Sequence, residues 1–526
     1  MTQARHLLGK VLTGFLAVAI VSVPVVAGAW TYRLEGERGL PDRPPAVATH
    51  PSGDFLTAAD GDVSRIDGAR GARLWRTRLF VADLTNALGR VTSDANGDVI
   101  VTGTRVDENG RRALIVKLDG ASGEVLWSTD FPGTSFSSNT SLGPVAVDGA
   151  GDVVAAGTTS FIGEDMLVLK LDGATGAVVW TSVLPGPGVG SDQGFALALD
   201  ANGDVAVAGD ATSAATARLA VIKVAGADGA LRWRFLAGTA GQTGQAYTVA
   251  FDAAGDVVAG GTVSRGPSDF SFAVVKVNGT SGAEIWQRFV DGDTPGLGGE
   301  SARDLAIDGA GGVIAVGRLL NASTGRDLVA IRFAANGDET WRREISSAGS
   351  RYDAAEAVAL VGGLAVIAGE IDGPTFDTTR FLALGLDGAD GSELWRVPLD
   401  GDADGRDRGT GVAVGTDGSL VVAGQLANRG SFEDGVLLHL DTTGAEQWRR
   451  VLNETVPEDD AARAVAADSA GDVIAVGAVG NPEGARDLTV VKLARADGAL
   501  RWRVGIDGAL GADDEPMRSW WTRRTT

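Results

Sequence analysis

Cysteine is missing from all 526 residues. That excludes disulfides, thiolate metal sites, thiol nucleophiles and lipid attachment through a processed N-terminal cysteine. Histidine is scarce: of three, only His50 and His439 lie beyond the first 29 residues. Two are too few for a histidine-based metal site or an imidazole relay. The chain has no G-x-S-x-G elbow, no P-loop and no H-E-x-x-H segment. Positive charge is also short, with 46 Lys and Arg against 68 Asp and Glu and a net charge of −22. This argues against nucleic acid and against anionic membrane surfaces as partners. An acidic shell that keeps a large protein dispersed is the simpler reading. Beyond Val26 no run is long and apolar enough to span a bilayer.

Glycine is abundant, at 76 residues in a background that is 44% hydrophobic. Such a background packs a core and excludes disorder of the whole chain. The glycines recur at fixed places, so they mark turns and not low complexity. Residues 1–29 read as an export signal. Arg5 and Lys10 give a basic start, Val11 to Val26 is almost wholly apolar, and Ala27-Gly28-Ala29 is a small-residue cleavage site. An uncleaved anchor is the competing reading, and Pro24 with the A-x-A triplet favours cleavage. Either way the bulk of the chain is expected outside the cytoplasm, periplasmic or at the cell surface, without a stable membrane span once the signal is removed. Residues 30–45 are a polar, proline-containing linker.

From 46 to 508 one pattern repeats. Trp75, Trp127, Trp180, Trp233, Trp286, Trp341, Trp395, Trp448 and Trp502 each close a segment such as LDGATGAVVW, at intervals of 52, 53, 53, 53, 55, 54, 53 and 54 residues. A period that regular overrides any estimate of domain number from length. Inside one repeat, four runs rich in Val, Leu and Ala are divided by Asp/Asn/Gly turns, which predicts strands joined by tight hairpins. The runs are apolar almost continuously, so both faces of each small sheet are covered. The sequence therefore predicts an all-β fold, a single β-propeller of eight or nine four-stranded antiparallel blades. Nine repeats are present, the first (46–79) compact, and 509–526 is a tail or closing strand.

The segment Leu-Asp-x-x-Thr/Ser-Gly-x-x-x-Trp, preceded by an apolar strand, resembles the tryptophan-docking motif of quinoprotein-type propellers, built from pyrroloquinoline quinone (PQQ) repeats. The GDVxVAGxT segments resemble repeats of bacterial cell-surface propellers. The resemblance covers residues 46–508 and implies that the nine tryptophans form a girdle locking each blade to its neighbour. The physical reading agrees, since one indole per unit buries about 150–250 Å². Redox activity does not follow from the repeats alone. Many members carry an adjacent Cys pair that this chain lacks, and PQQ is not expected as a cofactor.

Two features remain as candidate chemistry. Lys117, Lys170, Lys223, Lys276, Arg332 and Lys492 recur on the third strand, with His439 in register and Gly385 breaking the series. They are either a cation ring for an anionic ligand or side chains paired with nearby aspartates. Asp400, Asp402, Asp404 and Asp407 stand in DGDADGRD, where alternate carboxylates before a Gly turn can converge on calcium, which takes about 6–8 oxygens. The spacing resembles calcium loops of integrin-type blades, and Asp291-Gly-Asp293 is its nearest relic; a solvated acidic loop is the competing reading. No catalytic residue stands out. The sequence predicts an exported, non-catalytic platform that binds a protein or a surface polysaccharide. A PQQ-dependent dehydrogenase and a glycan-active hydrolase or lyase are the alternatives, since 68 acidic residues make carboxylate pairs plentiful.

Overall fold

A computed structural model describes residues 46–506, apart from 60, 71, 81–86, 108–109, 133–139, 161–163, 189, 214–215, 267–268, 295–298, 348–352, 374–377, 416, 430–431, 453–459, 469 and 481–485. The expected signal (1–29), linker (30–45) and tail (509–526) lie outside these residues.

Among the described residues all regular structure is strand, arranged as nine four-stranded antiparallel sheets, each running in sequence order from first to fourth strand. The blades span 46–78, 87–131, 140–184, 193–236, 244–290, 301–345, 354–399, 408–452 and 461–506. First strands of successive blades lie close together and the approach fades toward the fourth strands, so the first strand is on the axis side. The expectation of eight or nine blades resolves to nine. The compact first repeat still supplies four strands, and it packs against the last: Phe55 and Ile66 share a core with Ile474, Val490 and Trp502.

Blade 3 shows how the sequence makes the unit. Between its first two strands, Asp148 Oδ1 accepts from the N–H of Ala150 at 2.9 Å and of Asp152 at 3.0 Å. Gly151 stands at φ +89°, a left-handed conformation that costs glycine nothing. The second strand, Val153–Ser160, crosses so close to the first that a Cβ on Gly157 would lie 2.0 Å from the Ser141 carbonyl oxygen. The third strand is buried on both faces from Met166 to Leu171. Side chains of neighbouring blades then interdigitate, so that Val168 and Trp180 share a core with Val207 and Ile222 of blade 4. Full burial of each such Val, Leu or Ile stabilises by about 1.5–3 kcal/mol.

Candidate functional site

The nine tryptophans are placed alike. All are buried, from 2% exposed at Trp286 to 9% at Trp395. Each indole N–H donates to a backbone carbonyl in the turn of the following blade, at 2.7–3.1 Å: Trp75 to Gly120, Trp127 to Gly173, Trp180 to Gly226, Trp233 to Gly279, Trp286 to Ala335, Trp341 to Gly388, Trp395 to Thr442, Trp448 to Arg495 and Trp502 to Gly68. The ring lies on the turn glycine, and a Cβ on Gly176 would meet the Trp127 indole at 2.5 Å. These faces are covered by protein and leave no platform for ligand stacking.

The basic series is also internal. Lys117 Nζ lies 2.8 Å from Asp94 and 3.2 Å from Asp98, and donates to the Gly173 carbonyl of the next blade at 2.9 Å. Lys170 does the same with Asp148, Asp152 and Gly226. Burial alone would lower both lysines, but their bonds to the two aspartates hold them above the ordinary lysine value. Lys223, Lys276, Arg332 and Lys492 are each within 2.8 Å of the first hairpin's aspartate. In blades 7 and 8 acid and base are both replaced, whereas blade 1 keeps Arg65, paired with Asp54 at 2.5 Å, with His50 at the first hairpin position. Blade 7 has Gly385 with a hairpin turning through Gly362-Gly363, and blade 8 has His439 with Gly415.

Asp400–Asp407 crosses from the fourth strand of blade 7 to the first of blade 8. Asp407, 1% exposed, accepts from the N–H of Gly401 at 2.7 Å and of Ala427 at 2.5 Å. Asp402 instead accepts from the Arg429 N–H at 2.6 Å, and Asp404 is exposed. Burial pushes the Asp407 carboxyl up to about 7, with Asp400 beside it adding to the rise. The structure thus joins Asp400 to Asp407 and holds Asp402 on a different backbone group. Among the described residues no three carboxylate or imidazole groups gather to hold a metal ion. The relic works the same way. Glu300 accepts from Gly292 N–H at 2.8 Å, and Asp293 accepts from Ala322 N–H at 2.5 Å. Asp353 repeats the latch with the N–H of Ser347 at 2.8 Å and of Asp372 at 2.6 Å.

Two surfaces that the sequence reading missed distinguish one blade from another. The first is the outer rim. Every fourth strand opens with a bulge just before its tryptophan. Around blades 9 and 1–4 the residues there include Leu500, Leu74, Val125, Leu126, Val178, Val179 and Leu231, each 44–57% exposed. In blades 5–8 the residue two before the tryptophan is Glu284, Glu339, Glu393 or Glu446. Three of these pair with arginines on the same strand: Glu339 with Arg342 at 2.7 Å, Glu393 with Arg396 at 2.6 Å and Glu446 with Arg449 at 2.6 Å. Ile285, Leu394 and Val451 in blades 5, 7 and 8 are also exposed, at 40–54%, but charge on an open edge strand discourages pairing with another chain, and the glutamate–arginine pairs make the rim more guarded at blades 6–8 than at blades 9 and 1–4.

The second is the axis. The first strand of blades 2–9 is bulged at one common place. Bulges re-aim side chains and cluster at functional sites. From blade 4 onward the extra residues are Phe195, Tyr247, Arg303, Glu356, Thr410 and Arg463. Beside them, the residue after the second-strand glycine is Asp210, Thr262, Arg318, Glu370 or Gln425 in blades 4–8. Charge concentrates in blades 6–8. Burial, with the charges of Arg303 and Arg326, pulls Arg318 down to about 9, so it stays cationic at neutral pH. Burial pushes the Glu370 carboxyl up, Arg408 opposes this and Glu356 adds to it. The sequence signal was the position after V-A-G, which varies while the glycine before it stays.

A family model described as outer membrane protein assembly factor BamB matches residues 59–156, 138–376 and 382–505. No curated protein sequence matches the chain significantly. Among solved structures, BamB from Moraxella catarrhalis is 15% identical over 74% of this chain and 90% of its own, with a TM-score of 0.39. Quinohemoprotein alcohol dehydrogenase from Comamonas testosteroni is 14% identical over 76% of this chain and 72% of its own, with a TM-score of 0.43. Chaetomium thermophilum Sqt1, bound to the N-terminus of ribosomal protein L10, is 13% identical over 78% of this chain and 97% of its own, with a TM-score of 0.39.

Proposed function

The chain belongs to the family of the outer membrane protein assembly factor BamB, and we propose from that membership an exported, non-catalytic scaffold that docks a partner protein on the less guarded half of its rim. One observation carries this reading. Blades 9 and 1–4 expose apolar residues on open edge strands, in consecutive pairs at Val125-Leu126 and Val178-Val179 of adjacent blades, whereas blades 6–8 carry an ion pair there, beside the single exposed Leu394 in blade 7 and Val451 in blade 8. An exposed apolar patch of this kind marks a protein-interaction surface. An extended segment of the partner would add to the edge through its backbone and seat alternate side chains on the apolar ones. The fixed positions of the repeat build the ring, and the variable ones choose what it meets. Export rests on the apolar segment within residues 1–29.

The test is site-specific cross-linking in the native cell envelope, with a photoreactive residue at position 126, 179, 340 or 447. Positions 126 and 179 should capture one common outer-membrane assembly component, and 340 and 447 should not. Leu126→Glu with Val179→Glu should abolish capture while the protein stays folded and exported. Equal capture from all four positions, or a chain retained in the cytoplasm, would defeat the reading.

A further inference from the structure

The fourth strands on either side of the closing joint, Arg73–Arg78 of blade 1 and Leu500–Ile506 of blade 9, hold Arg73, Arg76, Arg78, Arg501 and Arg503 and no acid. The chain as a whole carries 68 acidic residues against 46 basic ones, so the sign is reversed here. One joint ties the two blades: Trp502 donates to the Gly68 carbonyl at 3.1 Å, and the Phe55 ring lies 5.4 Å from the indole, centroid to centroid. On the blade 1 strand, Trp75 and Thr77 turn to blade 2, donating to the Gly120 carbonyl at 2.9 Å and the Gly123 carbonyl at 2.6 Å. Arg73, Leu74, Arg76 and Arg78 are left at the surface, Leu74 48% exposed. Arg76 and Arg78 are gathered by one carboxylate, Asp62, which accepts from Arg78 Nε at 2.8 Å and from Arg76.

An arginine just after the tryptophan is not itself unusual. Arg342, Arg396 and Arg449 stand there in blades 6–8, each paired with the glutamate two before the tryptophan. Blades 1 and 9 keep the arginine, as Arg76 and Arg503, but put Arg73 and Leu500 in place of the glutamate. Blade 4 has Arg232 and Arg234 in the same register, yet Arg234 is turned onto the Pro185 carbonyl at 2.7 Å. On blade 1, one carboxylate between two arginines leaves positive charge over, with Arg73 adding to it. A bare polyanion fits poorly, because the net charge of −22 repels it and Leu74 gives it nothing to cover. An open edge strand instead offers its backbone N–H and C=O groups to another strand. Arg76 and Arg78 are two residues apart, about 7 Å along the strand, which is the step between side chains on one face of an added strand. Opposite charges facing each other across a strand pair stabilise it, and like charges oppose it. Guanidinium suits carboxylates through its fixed fork of donors.

Resting on the rim docking of the preceding subsection, we propose that the partner segment is acidic and seats on blade 1. It adds as an extended strand to the edge Arg73–Arg78, with alternate carboxylates on Arg76 and Arg78 and an apolar side chain on Leu74. Arg501 and Arg503 of blade 9 add to the field that draws it in. The test is fluorescence anisotropy of labelled eight-residue peptides on the purified protein. One peptide alternates Glu and Val, a second has Lys for Glu, and a third is the Glu–Val peptide N-methylated throughout, which cannot pair as a strand. The first should bind about tenfold or more tighter than the other two, and amide hydrogen exchange within Arg73–Arg78 should slow when it is bound. Arg73→Glu sets beside Arg76 the glutamate that blades 6–8 carry, and should weaken binding about tenfold with the melting temperature unchanged. Arg73→Ala, a milder change, should weaken it severalfold and decides the matter where the first variant fails to fold. Equal binding of the lysine or the N-methylated peptide, slowed exchange only elsewhere in the chain, or no binding to the folded wild type would overturn the proposal. A single-stranded oligonucleotide binding as tightly would make this a general polyanion site and overturn it too. Cross-linking at positions 126 and 179 is read in the cell envelope, apart from the peptides. Failed capture with peptide selectivity intact would sink rim docking there, and capture without selectivity would sink only the acidic segment.

Discussion

The indole N–H of Trp502 donates to the carbonyl of Gly68 at 3.1 Å although 434 residues separate them. Lys492 reaches the same oxygen at 2.6 Å. Every other blade makes the tryptophan contact with its successor, so this pair is the joint that turns a row of repeats into a ring. In a stack of repeats each unit is stabilised by its neighbours, and here no repeat is terminal.

Removing a joint should therefore be costly wherever it lies. Trp502→Ala and Trp233→Ala should each destabilise by about 3–5 kcal/mol, as deletion of a buried aromatic does. Trp502→Phe keeps a ring but loses the N–H and should cost less, about 1 kcal/mol from the hydrogen bond. Denaturant unfolding checks all three. If Trp502→Ala matches wild type, the first and last blades do not depend on each other.

The lysine pairs should show as strict partners. Lys170→Met leaves Asp148 buried without its cation, and loss of one member of a buried pair costs about 3–5 kcal/mol. Because bonds to Asp148 and Asp152 raise Lys170 above its ordinary value, its contribution is complete below the unfolded lysine pKa. It is lost only as pH rises through the higher folded value, above about 10.5. Stability of wild type relative to Lys170→Met should be flat from pH 6 to 9 and should narrow only at more alkaline pH. A gap that changes near neutrality would point to another group.

Much of this was legible in the sequence, and the limits have physical causes. The period of the tryptophans announced blades, because one indole per unit has to meet one turn per unit. The closing count was not legible, since it depends on whether the compact repeat around Trp75 still forms four strands. Asp402 and Asp407 stand in a spacing that suits calcium, but spacing along a loop does not say which backbone N–H groups the fold brings near. Glu356 and Arg303 were invisible as a site because a bulge exists only between paired strands. Leu126 and Val179 stand in apolar strand segments, and only the geometry of an open edge leaves them exposed.

Blade 8 offers a test of how acid and base travel together. His439 is 4% exposed, stacked on Trp448 with centroids 4.9 Å apart, and neither ring nitrogen has a partner. Gly415 occupies the place of the missing aspartate. His439→Lys alone should destabilise, because a buried ammonium would face no carboxylate from that hairpin position. Gly415→Asp with His439→Lys should recover stability, with a coupling energy of about 1–3 kcal/mol in a double-mutant cycle. Additive effects would mean that the pairing in other blades is incidental.

The acidic crossover makes a prediction near neutral pH. Asp407 titrates at about 7 in the folded chain because burial disfavours its charge and Asp400 adjoins it, against about 3.9 when unfolded. The folded state then holds a proton that the unfolded state releases between these values, so stability falls as pH rises from about 4 to 7 and levels off above. Asp400→Asn removes the neighbouring charge and should make that fall shallower, as followed by melting temperature between pH 4 and 8. Calcium enters the same experiment. With the Asp407 oxygens on the N–H groups of Gly401 and Ala427 and Asp402 on that of Arg429, gathering four carboxylates would break three backbone hydrogen bonds. Chelator and added calcium should therefore leave the melting temperature at pH 7 unchanged. A calcium-dependent rise that disappears in Asp402→Ala would show that the metal repays those bonds and that the loop rearranges around it.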